Sequence, residues 1–581
     1  MMLKSLLHAL KPGPRRERLL RSAARAQLLI AQALEHHSGG KPAAAEALCR
    51  EALALDRQHA QAWGLLAAIS LDRNDLACAL ECYEQILSFS PDDAEHLVNA
   101  AEVSRRTGRL GRALELSQRA LATRQSDSRA WRVRGKALEE LGRTQEAQRC
   151  LRRGHELKPD NADIHSDLLF LLSATDYLPP EQLAGEYRRW GERHADPLTA
   201  ASAAHTNLPD PDRALRIGYV SADFRSHPVA RFTEPFLDRH DRRCWRVYCY
   251  SSCARPDAVS ARLRGRADVW RDISSASDET AERLIREDCI DILVDLSGHT
   301  RGNRLSLFAR RPAPVQITWF GFLGGSGMAA MDYRITDFHI DPVGVSDRCY
   351  RERLLRLPRA IACYQPQDEA PAVNDLPALT RGHITFGSFN SFSKLSAETI
   401  RTWAELLRRL PRARLRVLGA PPGEGSDHVI EMFESEGIAA GRIDMLGRLQ
   451  YQAYLEQYLQ VDVALDAYPY NGGMTTADSL WMGVPVISRA GRSALSRFGA
   501  SHLTNIGLAS WIAASSADYI GIALRVAADL PALARLRAGL RDRMRTSPLA
   551  DAGQFTADLE ALYRDAWRAW CAQAPQRSGG C

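Results

Sequence analysis

Lysine is rare in this chain, and one lysine sits where chemistry could use it. Of the 76 lysine and arginine residues, six are lysine: Lys4, Lys11, Lys41, Lys136, Lys158 and Lys394. Lys394 closes the stretch ITFGSFNSFSK (384–394), just past a β-rich run. A compact ammonium there can reach a diphosphate and stabilise charge on a leaving group, and arginine is no equivalent at a constrained site. A leftover surface lysine would leave the same trace.

A second candidate is YNGGMTTADSLWMGVPVIS (470–488), where a polar turn runs into an apolar helix and then a strand. Gly472 and Gly473 let the backbone approach a ligand, and Thr475 or Thr476 is expected to cap the helix. A helix N-terminus offers free N–H groups and the positive end of a dipole, which suits phosphate. Asp478, expected in the first turn, would meet a sugar diol attached to that phosphate. A plain capped helix behind a glycine turn fits the local pattern too.

Two histidines follow strands of an earlier region. His227 lies in GYVSADFRSHPVARF and His299 in DLSGHTRGNR. Histidine can act as a base near neutral pH or hydrogen-bond a substrate, and a lone histidine can equally be structural. His299 is expected at the same rim, beside the Gly298 turn. There is no H-E-x-x-H, no strand-flanked D-x-D, no G-x-x-x-x-G-K-[ST] and no G-x-S-x-G in the sequence. No metal site and no cofactor are expected, so leaving-group charge would fall to Lys394 and the helix terminus.

The elements that must position these residues are of two kinds. The first third repeats every 34 residues, with registers starting at Ala26, Ala60, Ala94, Ser128 and Ala162. Position four is bulky (Trp63, Leu97, Trp131, His165), position eight small (Ala67, Ala101, Gly135) and position twenty alanine (Ala45, Ala79, Ala113, Ala147). Pro91 and Pro159 end second helices, because proline lacks the N–H and disfavours helix in the residue before it. The pattern is that of tetratricopeptide repeats, which stack into a superhelix and commonly bind peptide or protein.

Beyond residue 213, short apolar runs alternate with helical stretches. The runs are 215–221, 246–252, 291–298 and 315–321, then 384–390, 414–420, 442–447, 461–467 and 484–488. Near-continuous apolar strands between helices predict parallel sheets covered on both faces, with ligands beyond the carboxyl ends of the strands. The expected architecture is α-superhelical tetratricopeptide repeats followed by two Rossmann-like α/β domains facing a cleft. Expected boundaries are an N-terminal helical segment 1–25, repeats 26–195, a linker 196–213, a first half 214–363, a linker 364–380, a second half 381–548 and a C-terminal helix and tail 549–581.

Composition is that of an ordinary globular chain, 45% hydrophobic and 25% charged. A net charge of +6 over 581 residues is mild, and no nucleic-acid partner is expected. No membrane span or signal peptide is expected. The 12 cysteines lack a paired pattern, which fits reduced thiols and a cytoplasmic location.

Taken in order, GYVSADFRSHPVARF, DILVDLSGHTRGNRLSLFARRPAPVQITWFG, MDYRITD, ITFGSFNSFSKLS and DVALDAYPYNGGMTTADSLWMGVPVIS resemble the O-linked N-acetylglucosamine transferases and their SPINDLY-like bacterial relatives. The resemblance covers nearly all of 26–548 and implies repeats joined to a GT-B glycosyltransferase. It implies inverting, metal-independent transfer of a sugar, GlcNAc from UDP-GlcNAc foremost, to Ser or Thr of protein acceptors presented by the repeats. Donors of GDP-fucose or UDP-glucose on the same fold, and an inactive repeat scaffold that binds partners, stay open, as does a homodimer.

Residue by residue, His227 matches the family's active-site histidine, Lys394 the lysine on the diphosphate, Thr475 and Thr476 the polar turn beside it, and Asp478 the acid on the ribose. Tyr454 falls near where the family stacks the base. Asn390, Ser391, Gly473 and Met474 are placed with them as donor-binding residues. There are departures: GFLGGSG stands where the family often has G-Y-P-G-T-[ST]-G, Ser391 where animal enzymes carry glutamine, and Met474 where a hydroxyl or histidine is usual.

Overall fold

The structure, a computed structural model, describes residues 14–175, 178–366, 370–419 and 423–573. The first thirteen residues of the expected N-terminal segment and the tail from 574 lie outside them. The chain forms two compact units. One takes in the residues up to Glu140 and Gln145–Lys158; the other holds Leu141–Thr144 and everything from Pro159 onward.

The first unit is all helix, from Pro14–Ser38 to Thr144–Leu157. Helices begin at Ala60, Ala94 and Ser128, where the 34-residue registers begin. The first register starts inside the long helix Pro14–Ser38, because nothing in that stretch breaks a helix. Ala45, Ala79, Ala113 and Ala147 are all fully buried, as close helix approach requires. A Cβ added at Gly135 would come within 2.8 Å of the Leu151 side chain, so this small position is set by packing. Leu65, Leu80, Leu97 and Leu116 belong to one apolar core that runs through successive repeats.

The second unit opens with two more antiparallel helices, Ala162–Ser173 and Pro180–His194, which continue the repeat register but pack on the first α/β half. That half is a seven-stranded sheet of order β3-β2-β1-β4-β5-β6-β7, every pairing parallel. Its strands are β1 Leu215–Ser221, β2 Trp245–Ser251, β3 Val269–Asp272, β4 Ile292–Asp295, β5 Val315–Thr318, β6 Tyr333–Asp337 and β7 Arg353–Leu357. The other half is a parallel six-stranded sheet of order β10-β9-β8-β11-β12-β13. Its strands are β8 Thr385–Ser388, β9 Arg414–Leu418, β10 Ile443–Leu446, β11 Val463–Leu465, β12 Val486–Arg489 and β13 Ile512–Ala513.

Strands β3, β6, β7 and β13 escape the apolar-run criterion for physical reasons. β3 and β7 are sheet edges with exposed positions, and β13 has two residues. β6 is buried throughout but carries Arg334, which is neutralised by Asp341 at 2.6 Å and donates to the Leu323 carbonyl. The C-terminal helix Ala552–Gln573 packs back on the first half, where Glu560 bonds His240 at 2.8 Å and the Tyr563 and Tyr219 hydroxyls lie 3.3 Å apart.

Strand order reverses between β1 and β4 in one sheet and between β8 and β11 in the other. At such switch points adjacent loops diverge and leave a crevice beyond the strand ends. His227 follows β1. Asn390 and Lys394 follow β8. The 470–476 turn follows β11.

Candidate functional site

The two switch-point loops of the second half are bonded together. Lys394 Nζ donates to the Asn471 carbonyl at 2.8 Å and lies 3.8 Å from the centre of the Tyr470 ring. Thr475 Oγ1 donates to Asn390 Oδ1 at 2.8 Å. Beneath them, Asp466 accepts from the Gly472 N–H at 2.7 Å and from the Ser488 hydroxyl at 2.6 Å, and the Asn390 amide reaches it at 3.3 Å. A Cβ at Gly472 would lie 2.5 Å from Asn390 Oδ1, which explains the glycine.

Burial sets the electrostatics. It lowers the Lys394 pKa to about 8, with Asp466 opposing the shift. It raises the Asp466 pKa to about 6, against the Ser488 and Gly472 bonds and the Lys394 charge. One cation and one anion are thus held poised beside a helix N-terminus.

That helix is Met474–Trp481, with Gly473 at its N-cap and no side-chain cap. The expectation that Thr475 or Thr476 caps it is therefore corrected. The helix starts one residue earlier, so both threonines lie inside its first turn, and Thr476 Oγ1 bonds back to the Gly472 carbonyl at 2.9 Å. The first-turn amides are left for another partner. Asp478 is the fifth helical residue, in the second turn rather than the first.

Asp478 is 1% exposed and fully engaged. Arg231 donates to both its oxygens, at 2.8 and 3.2 Å. The hydroxyls of Tyr364, Tyr451 and Tyr454 donate to it at 2.9, 3.2 and 3.2 Å. Burial opposes charge on Arg231, and Asp478 more than offsets this, so the guanidinium pKa is raised. The Tyr454 and Tyr458 hydroxyls lie 2.8 Å apart, and Tyr458 donates to the Thr475 carbonyl at 3.1 Å, so the tyrosines connect the acid to the turn. Tyr454 also touches Phe389 and Tyr451, with ring centres 6.0 and 5.8 Å apart.

His227 caps the helix Pro228–Leu237: its Nδ1 accepts from the Val229 N–H at 3.3 Å. Asp223 Oδ2 stands 3.6 Å from the same nitrogen. Burial lowers the His227 pKa while Asp223 pulls the other way. A neutral ring that accepts at Nδ1 carries its proton on Nε2. One helical turn after His227, Arg231 makes the ion pair across to the second half.

Three expectations need correction or limits. His299 is not at the rim. It is 2% exposed, with Nδ1 at 3.1 Å from Ser166 Oγ and Nε2 at 3.0 Å from the Ser326 carbonyl. Its ring packs against Tyr187, Trp190 and Phe322, and burial lowers its pKa to about 4, so it is a packing residue. Ser391 is exposed and its hydroxyl meets Ser393, not the turn. Met474 is buried at the helix start. The departure at GFLGGSG lies in this same packing region: Phe322 touches His299, Tyr187 and Phe170.

Among the described residues no group of three or more His, Cys, Asp or Glu could hold a metal ion, and no helix is long and apolar enough to cross a membrane.

The profile of glycosyl transferase family 41 matches residues 198–367 and 372–559, and tetratricopeptide profiles match 36–102 and 128–171. The chain belongs to glycosyl transferase family 41. Relatives agree. A Petunia hybrida protein named as a probable UDP-N-acetylglucosamine–peptide N-acetylglucosaminyltransferase, SPINDLY, is 36% identical over 423 residues, 72% of this chain and 45% of that protein. The Arabidopsis thaliana protein named SEC, with the same activity in its name, is 30% identical over 63% of this chain and 38% of that one. The chain spans about half the length of the curated relatives it matches. A mutant of the Thermobaculum terrenum O-GlcNAc transferase superposes with a TM-score of 0.84 at 38% identity, covering 89% of this chain and 98% of that one.

Within this family fold, four site residues escaped sequence reasoning: Asp466, Arg231, Tyr364 and Tyr451. Asp466 had a signal, an acid at the end of a buried strand (DVALDA). Arg231 had one as well, four residues after His227 and therefore on the same helix face. Tyr364 and Tyr451 reach Asp478 from 114 and 27 residues away, which no local pattern reveals.

Proposed function

We propose that this chain is a nucleotide-sugar-dependent protein glycosyltransferase that moves a sugar, GlcNAc from UDP-GlcNAc foremost, to Ser or Thr of acceptor polypeptides bound by its repeats. The observation that carries the reading is the cluster of Lys394, Asn390 and the 471–476 turn at the β8/β11 switch point, beside the free amides of a helix N-terminus. This is where an open parallel sheet binds phosphate. Asp478, one helical turn further on, is the residue this reading assigns to the ribose.

In the proposed step the acceptor hydroxyl attacks the anomeric carbon, and the bond from that carbon to the diphosphate breaks with inversion. Lys394 and the helix amides stabilise the departing diphosphate, which gives a metal-independent route. The hydroxyl proton passes to His227 Nε2 through the tautomer protonated at Nδ1, beside Asp223, or to a departing diphosphate oxygen while His227 Nε2–H orients the acceptor hydroxyl or sugar. The cytoplasm is the proposed compartment, and the eleven described cysteines are all free thiols.

The test is calorimetric titration with UDP, UDP-GlcNAc, UDP-glucose and GDP-fucose, beside Lys394→Ala. The reading expects selective binding of one donor that weakens in the variant, and mass-shifted acceptor peptide in its presence. A well-folded protein that binds none of the four would be a scaffold instead.

A further inference from the structure

An ionised carboxylate offers about four lone-pair positions, and Asp478 has filled them. Oδ1 accepts from Arg231, Tyr364 and Tyr451, and Oδ2 from Arg231 and Tyr454. A ribose diol on this carboxylate would need the same oxygens, so at least one present donor must leave. The tyrosines are fixed close to the carboxylate: Tyr451 and Tyr454 belong to the helix Tyr451–Gln457 of the second half, and the backbone at Tyr364 is tied to the Leu549 carbonyl. Arg231 comes from the first half, on Pro228–Leu237. Its Nε–H is buried without a partner, an arrangement that costs desolvation. It also stacks on the Tyr451 ring at 4.6 Å, which keeps the guanidinium over the acid.

We propose that Arg231 is a specificity-determining residue of the donor site, an internal cation that holds Asp478 until a nucleoside diphosphate's ribose diol takes its place. The inference rests on the donor reading above. A diol restores the hydrogen bonds that Asp478 loses when Arg231 withdraws. A nucleotide without the two hydroxyls would leave a buried carboxylate short of donors. The ion pair therefore scales the apparent affinity of every true donor down to the fraction of molecules in which it is open.

The experiment is calorimetry of the full chain with UDP and with 2′,3′-dideoxy-UDP, on wild type, Arg231→Gln and Arg231→Lys, each checked for folding by thermal unfolding. The expected result is UDP binding tighter by about tenfold in Arg231→Gln. A smaller gain is expected in Arg231→Lys, which keeps the charge without the planar fork, and little change for the dideoxy nucleotide. If the Gln variant does not fold, the Lys variant carries the comparison. UDP binding that is unchanged or weaker in the variants overturns the proposal, because Arg231 would then be neutral or a direct donor contact. Equal gains for both nucleotides overturn it too, since Arg231 would then only fill volume. If GDP binds and UDP does not, the same comparison runs with GDP and its dideoxy form. Absence of binding by either nucleotide to any folded form overturns the donor reading, and this proposal with it.

Discussion

Lys394 and Asn471 are joined by a 2.8 Å hydrogen bond from the ammonium to a backbone carbonyl, although 77 residues separate them. The bond ties the loop after β8 to the loop after β11. It fixes the one lysine of the α/β region against the turn that opens the helix Met474–Trp481. A diphosphate on those amides would meet a cation already in place, with little reorganisation needed when charge develops on the leaving group.

Lys394→Ala should therefore lower kcat/KM with the best donor by about a hundredfold or more, the usual scale for losing one preorganised charge stabiliser. Donor Kd should weaken by less than that, because part of the interaction strengthens only in the transition state. Steady-state kinetics and calorimetry on the same sample separate the two. Equal losses in both would mean that Lys394 only binds.

Donor affinity should also depend on pH in a stated direction. Burial brings Lys394 to about 8, so its charge is lost as pH rises through that value. Burial brings Asp466 to about 6, so its charge is lost as pH falls through that value. The ammonium proposed to meet the diphosphate and the carboxylate that holds Gly472 coexist between the two. UDP affinity measured by calorimetry should be greatest in that window and fall on both sides. In Lys394→Arg the alkaline fall should vanish, since guanidinium stays charged, even if binding is weaker overall. A flat wild-type profile would contradict the assignment.

Asp466 holds the turn from below, and its removal should show as lost stability first. Asp466→Ala leaves the Gly472 N–H, the Ser488 hydroxyl and the Asn390 amide without their acceptor. Buried groups left so cost about 2–4 kcal/mol in sum, read from denaturant unfolding. Asp466→Asn should cost clearly less. Its oxygen can still accept from Gly472, and its amide can donate to Ser488. If Ala and Asn cost the same, the hydrogen bonds are not what the carboxylate contributes.

Much of this was legible in the chain itself. The 34-residue period located helix starts at Ala60, Ala94, Ser128 and Ala162, because small residues at fixed spacing are a direct record of helix contact. Lys394 and the 471–476 turn declared themselves by type and by following apolar strands, and Asn390 came with the family resemblance. What the sequence hid is long-range: that Asp478 is claimed by Arg231 from the other half, and that His299 lies between Ser166 and Ser326. Position after a strand was the same signal for His227 and His299. Only the packing of the Ala162–Ser173 and Pro180–His194 helices over His299 separates the core residue His299 from the partly exposed His227.

His227 caps a helix and is proposed to act in the reaction, and substitution can divide the two. Its Nδ1 caps the helix Pro228–Leu237, and asparagine is a good cap while alanine is not. His227→Ala should lose about 1 kcal/mol of stability together with activity. His227→Asn should keep the stability and lose the activity, by about a hundredfold if the imidazole hydrogen-bonds or takes a proton in the reaction. Thermal unfolding and initial rates on both variants decide it. Full activity in the asparagine variant would reduce His227 to its cap.

The last repeat helix tests the packing role assigned to the GFLGGSG loop. Gly191, on Pro180–His194, faces the backbone of Gly327 so closely that a Cβ would overlap its carbonyl oxygen and crowd Met328. Gly327 in turn sits against the Tyr187 carbonyl with a positive φ of 74°. Gly191→Ala must lift the helix off the loop, which disturbs the Trp190 and Tyr187 contacts to His299. Overpacking of this kind costs about 1–3 kcal/mol, and the loss should appear as a lower Tm. The Lys394 cluster, the proposed donor site, belongs to the other half, so UDP affinity of the folded protein should change less than threefold, about 0.65 kcal/mol or under. An unaltered Tm would mean that helix and loop do not meet there. A large loss of UDP affinity at unaltered stability would mean that the loop grips the donor after all.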